Sequence, residues 1–205
     1  MDKDFVIRQG STFQHVLRWG APPYIYKAIT AITQTLPCRI TSTAHGVIDD
    51  WRVAVVSVKG MLQINADVDR HGIPYTRAYH KATVIDANTV ELNDINSADF
   101  KPYTSGGYLQ FLTPVDLTGF TARMKIRDRI GGTILASTEV GDTPLDIITV
   151  TLDDVLATIT LNIAASDTAA LTWTKGVYDL ELVSAGGVVT TLLSGKISVT
   201  KEVTS

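Results

Sequence analysis

Side chains branched at the β-carbon dominate this chain: 27 Thr, 20 Val and 18 Ile make 65 of its 205 residues. Such side chains lose rotamer freedom in a helix and pack well on a pleated surface, so an all-β fold is the first expectation. The 45% of hydrophobic residues is enough apolar material for one or two packed domains. Against 21 Asp and Glu the chain sets only 18 Lys and Arg, a net charge of -3. That balance supplies no broad basic field, and nucleic acid is not expected as the main ligand. Cys38 is the single cysteine, which excludes an internal disulfide and cannot by itself build a zinc site. The N-terminus is charged at Asp2, Lys3 and Asp4. No run approaches the roughly 18 apolar residues that span a bilayer, so neither an export signal nor a membrane partner is expected.

Along the chain, residues 5–8 and 12–19 are β-rich runs separated by Gln9-Gly10-Ser11, which reads as a hairpin. In the second run Phe13, His15, Leu17 and Trp19 share the face expected to be buried, and His15 reads as a packed or hydrogen-bonded histidine. After Pro22-Pro23, residues Ile25, Ile29, Ile32 and Leu36 fall at helical spacing, yet Ile29-Thr30-Ala31-Ile32-Thr33 is β-branched at four of five positions, which favours strand and turn. Short strands are expected at 39–43, 52–58, 81–86, 89–93 and 107–112, with glycine-marked turns between several of them. So many short strands in so small a unit suggest a small β-barrel, because closure protects edges. From residue 114 onward, strands are expected near 121–127, 133–137, 147–152, 157–163, 176–183 and 188–200, with one helical turn at 165–171.

Few residues offer chemistry. The four histidines, His15, His45, His71 and His80, form no pair at metal-ligand spacing, and the sequence from Asp67 fails as a calcium loop because Ala78 stands where a bidentate Glu belongs. Gly106-Gly107 and Gly131-Gly132 precede no helix and no Lys-Ser or Lys-Thr, so they are turn glycines and not phosphate loops. No nucleophile elbow occurs. The reading is therefore of a protein without catalytic, cofactor or metal residues. One group stands out: Tyr24, Tyr26, Phe100, Tyr103 and Tyr108 are candidate assembly or stacking contacts, with a core or neighbour-packing role as the competing reading.

Two nested resemblances appear. Residues 5–13 and 114–127, the latter with the turn Asp116-Leu117-Thr118-Gly119, resemble the N-terminal β-domain of upper baseplate proteins and related tailed-phage virion proteins. The strand Tyr178-Asp179-Leu180-Glu181-Leu182 and a final hairpin at 192–199 resemble that family's closing strands. Between them, Ile29-Thr30-Ala31-Ile32-Thr33-Gln34, Thr43-Ala44-His45-Gly46, Val58-Lys59-Gly60-Met61, Thr89-Val90-Glu91-Leu92 and Tyr103-Thr104-Ser105-Gly106-Gly107 resemble a small β-barrel of phage structural proteins. That barrel is the one likened to the first catalytic-cysteine half-domain of ubiquitin-activating enzymes; the likeness implies no ubiquitin chemistry.

The expected architecture is an all-β chain: a discontinuous β-sandwich of residues 1–21 and 113–205, with a small β-barrel domain, residues 22–112, inserted in a loop. The function the resemblance implies is that of a non-enzymatic virion component in tail, baseplate or neck, assembled in the host cytoplasm. Its expected partners are copies of itself and other virion proteins. The alternative is a carbohydrate-binding module of a host-recognition apparatus, taking a surface glycan on the aromatic group.

Overall fold

The computed structural model describes residues 2–141 and 146–202. The strands in chain order are β1 (Phe5–Arg8), β2 (Phe13–Arg18), β3 (Gly20–Ala28), β4 (Ala31–Ile32), β5 (Cys38–Thr41), β6 (Arg52–Lys59), β7 (His80–Asp86) and β8 (Thr89–Leu92). They continue with β9 (Ser105–Pro114), β10 (Thr121–Arg127), β11 (Ile134–Ser137), β12 (Thr149–Asp153), β13 (Thr158–Ile163), β14 (Lys175–Val183) and β15 (Val189–Thr200). One short helix, α1 (Ala165–Ala169), lies between β13 and β14. Among the described residues no helix is long and apolar enough to cross a membrane. The fold is all-β, as the β-branched composition leads one to expect.

The chain divides into two compact units, one of residues 1–19 and 116–205, the other of residues 20–115. The divisions lie a few residues outside those expected from the sequence, 21/22 and 112/113, because β3 and β9 are partners down to their ends, with Gly20 opposite Pro114 and Ala21 opposite Thr113. Gly20 suits that place: a Cβ there would sit 2.8 Å from Leu112 Cβ and 3.0 Å from the Trp51 ring.

In the discontinuous unit a five-stranded sheet, β1-β15-β14-β10-β11, accompanies a three-stranded sheet, β12-β13-β2. Alternation decides which side chains become core. Met124 and Ile126 of β10, Tyr178, Leu180 and Leu182 of β14, and Leu193 and Ile197 of β15 are buried, as are Ile159, Leu161 and Ile163 of β13. The intervening residues of β10 and β14 form a charged outer face, where Arg123 pairs with Glu181 at 2.7 Å and Lys125 with Glu139 at 2.6 Å. The turn before β10 is held by Asp116, whose Oδ1 accepts from Thr118 N at 2.9 Å while Gly119 takes φ 73°.

Two expectations need correction here. Residues 5–8 and 12–19 are not a hairpin: β1 pairs in parallel with β15, Phe5 opposite Ile197, while β2 pairs with β13 in the other sheet. Burial settles this, since the parallel position lets β1 place Phe5 and Ile7 in the core, where Phe5 stacks on Tyr178 with ring centroids 5.1 Å apart. Nor does a hairpin occupy residues 192–199, which belong to the single long strand β15, paired with β14.

The second unit is one seven-stranded sheet in the order β3-β9-β6-β7-β8-β5-β4. No ladder joins its two end strands, so the closed barrel expected from the sequence is instead an open sheet. Its ends are nevertheless consecutive in the chain. Between β3 and β4, Ile29 N donates to Gly107 O on the β9 side and Thr30 N to Thr41 O on the β5 side, so the chain changes partner within two residues. The core holds Ile40, Val53, Val55, Val90, Leu92, Leu109 and Phe111, with Trp51 donating its indole N–H to Leu112 O at 3.1 Å.

Candidate functional site

In the second unit, Tyr26 of β3 stands opposite Gln110 of β9 and Ala28 opposite Tyr108. Residues two apart on a strand share a face, so Tyr24 and Tyr26 lie side by side, as do Tyr108 and Gln110. Gln110 is fully buried. A buried carboxamide needs partners, and it has them: its Oε1 accepts from Tyr79 Oη at 3.2 Å and its Nε2 donates to Tyr26 Oη at 2.9 Å. Tyr79 follows the 3-10 turn Thr76–Ala78, directly ahead of β7, and joins the same group. Burial first, then the neighbouring Tyr24 and Tyr26 phenols, push the Tyr79 phenol far above its ordinary range, so it remains a donor at any physiological pH.

A shallow groove opens beside Tyr26, lined also by Tyr108, Val56, Ser57, Asn65 and Val68. The two tyrosines are about half exposed, at 49% and 45%, and meet edge to face, centroids 6.2 Å apart at 86°. Ser57 takes φ 61°. It falls between the pairs Val56–Tyr108 and Val58–Gly106, and the left-handed backbone there is a departure from strand geometry of the kind that re-aims a side chain. Asn65 is held on both sides by one residue, its Oδ1 accepting from Val58 N at 2.8 Å and its Nδ2 donating to Val58 O at 3.0 Å.

Of the five candidate contact residues, Tyr26 and Tyr108 line this groove, and Tyr24, which does not line it, neighbours Tyr79. Phe100 and Tyr103 lie apart. The Tyr103 hydroxyl is 2.9 Å from Ile29 O and 3.0 Å from Gly106 O, a strut across the point where the chain changes partner. Phe100 is half-buried, its N bonded to Ser97 O and its carbonyl to Gln34 Nε2. The five thus form no single flat platform. Tyr79 and Gln110 were missed, although a glutamine inside the apolar run Leu109-Gln110-Phe111-Leu112 is a readable signal of a buried polar partner.

The histidines stay dispersed. His45 is buried, its Nδ1 accepting from Val47 N and its Nε2 bonded to Asp86 O, both at 2.9 Å, which places the ring proton on Nε2. His80 pairs with Asp94 at 2.8 Å, and His15 accepts from Lys3 Nζ at 2.8 Å. Among the described residues no three His, Cys, Asp or Glu side chains gather in a way that could hold a metal ion. Compared with known proteins, the chain matches no protein-family model and no curated protein.

Proposed function

We propose that this chain is a non-enzymatic structural protein of a tailed-phage virion, placed in tail, baseplate or neck, working through contacts between symmetric copies and with other virion proteins. One observation carries the reading beyond the resemblance of its motifs. Segments from the two ends of the chain build one unit, and that unit carries large apolar side chains on turns between strands: Ile130 is 93% exposed and Val155 79%. Contact with a neighbouring copy or partner would withdraw these side chains from water, which is what the reading asks of this unit. The test is to purify tailed particles from a host carrying this sequence and to locate the chain by mass spectrometry and antibody labelling. The expected result is a fixed copy number with label on the tail, baseplate or neck; its absence from intact particles overturns the proposal.

A second reading, a carbohydrate-binding module of a host-recognition apparatus, is favoured by the exposed Tyr26–Tyr108 pair.

A further inference from the structure

We infer that the groove between Tyr26 and Tyr108 binds one neutral sugar ring of a glycan, an inference that rests on the second reading above and assigns it a site. The first argument is charge. The groove's lining residues are tyrosine, serine, asparagine, valine, alanine and glycine, with no ionisable group beyond the two phenols. Such a lining has nothing to balance a phosphate, a sialic acid or a basic peptide, whose burial without a partner costs free energy. A neutral ligand rich in hydroxyls fits it.

The second argument is the direction of the hydrogen bonds. Gln110 Nε2 donates to Tyr26 Oη at 2.9 Å, so one lone pair of that oxygen is taken and the phenol's own hydrogen is left to donate elsewhere. Gln110 is itself held by Tyr79, whose hydroxyl donates to Oε1. The relay Tyr79–Gln110–Tyr26 therefore ends on a half-exposed tyrosine and fixes the position of its hydroxyl oxygen before any ligand arrives. Asn65 adds to this, because its amide is held by Val58 but keeps one N–H and one lone pair uncommitted by those two bonds. Preorganised polar groups lose little entropy on binding.

The third argument is ring geometry. The 86° angle between Tyr26 and Tyr108 makes a corner, and a corner does not match the flat face of a nucleobase. A pyranose presents a C–H face, which the electron-rich face of one ring attracts, and a rim of hydroxyls, which reaches the phenol and the amide beside it. Sequence-tolerant docking of a proline-rich segment is the competing occupant. It calls for parallel aromatic ridges along a longer groove, which this corner does not provide.

The experiment uses the full chain on a glycan array, followed by saturation-transfer NMR with the methyl glycosides of glucose, galactose and mannose. The expected result is binding of a neutral glycan, with transfer to the ring protons of at least one methyl glycoside. Tyr108→Ala should weaken binding by about tenfold, the equivalent of one aromatic contact, and Tyr26→Phe, which keeps the ring and removes only the hydroxyl, by several-fold. Both positions are half-exposed, and the thermal melt of each variant verifies folding. Binding that survives both substitutions overturns the groove assignment and leaves the carbohydrate reading standing with a site elsewhere. No binding of any neutral glycan overturns both. A preference for sialylated glycans, or for a proline-rich peptide that loses affinity in Tyr108→Ala, also overturns the inference.

Discussion

Tyr178 carries the clearest chemistry of any single core residue. Its ring stacks on Phe5, and its hydroxyl donates to Lys3 O at 2.7 Å, tying β14 to the residues ahead of β1. Burial, followed by the carboxylates of Asp4, Asp179 and Asp2, pushes the phenol from 10.0 up to about 12. The folded state thus holds this proton more tightly than the unfolded chain. Its contribution to stability is whole below the ordinary tyrosine value and is lost as pH rises through about 12. Tyr178→Phe should cost about 1 kcal/mol near neutrality and flatten the alkaline limb of a pH series of denaturant melts; an unchanged alkaline limb would assign that limb to other groups. His15 behaves with the opposite sign. Its ring accepts from the Lys3 ammonium and packs on Phe5, with centroids 4.8 Å apart, and Leu161 is its register partner on β13. Burial first, then the Lys3 charge, hold its pKa below 6.5. Its contribution is present above that ordinary value and is lost as pH falls through the lowered one. His15→Gln keeps an acceptor for Lys3 but removes the titration, so the loss of stability on acidification below the ordinary histidine value should shrink in melts followed by near-UV circular dichroism.

At the scale of elements, the N-terminal strand depends on one glycine of the last strand. A Cβ at Gly195 would run into the carbonyl of Lys3, where Lys3 N already bonds Ser194 O at 2.9 Å and Lys196 N bonds Asp4 Oδ1 at 2.9 Å. Gly195→Ala should therefore lift β1 from β15 at a cost of about 2 kcal/mol. In hydrogen exchange, amides of residues 5–8 should lose protection while those of β10 and β14 keep theirs; retained protection at β1 would show that the carbonyl yields without cost. This pairing also shows where sequence reasoning stops. The strand β10 was legible to the residue, because Thr121-Ala122-Arg123-Met124-Lys125-Ile126-Arg127 alternates cleanly and follows an Asp-led turn. The turn at Gly10, with φ 77°, was legible too, but a turn does not name the partner of the strand before it. That choice was made by Phe5 and Ile7 seeking a core nearly the whole chain away, and nothing local encodes it. Likewise Tyr24, Tyr26 and Tyr108 could be singled out as aromatics, whereas the relay through Tyr79 and Gln110 needed the register of β3 on β9 to be seen.

For the molecule as a whole, the division into two units makes an excision simple to design. Gly20 and Pro114 are antiparallel partners, and such partners have Cα atoms about 5 Å apart. A short Gly-Ser link from Trp19 to Asp116 should leave the discontinuous unit folded with a cooperative melt, and residues 20–115 expressed alone should give a second cooperative melt. Insoluble or non-cooperative products from both pieces, across several link lengths, would show that neither unit is stable without the other.

The parallel pairing of β1 with β15 bears on the order of events during synthesis. Of the two partners β1 is made before β15, with the whole of the 20–115 unit produced in between. All strands of that unit are available before β10 has left the ribosome, so it can complete its sheet while Phe5 and Ile7 are still waiting, apolar and unpaired, for residues 197 and 199. A chain interrupted after residue 115 and before β15 therefore leaves a finished insert flanked by a nascent strand with no mate. It is this early, unpaired strand that chaperones and aggregation would compete for.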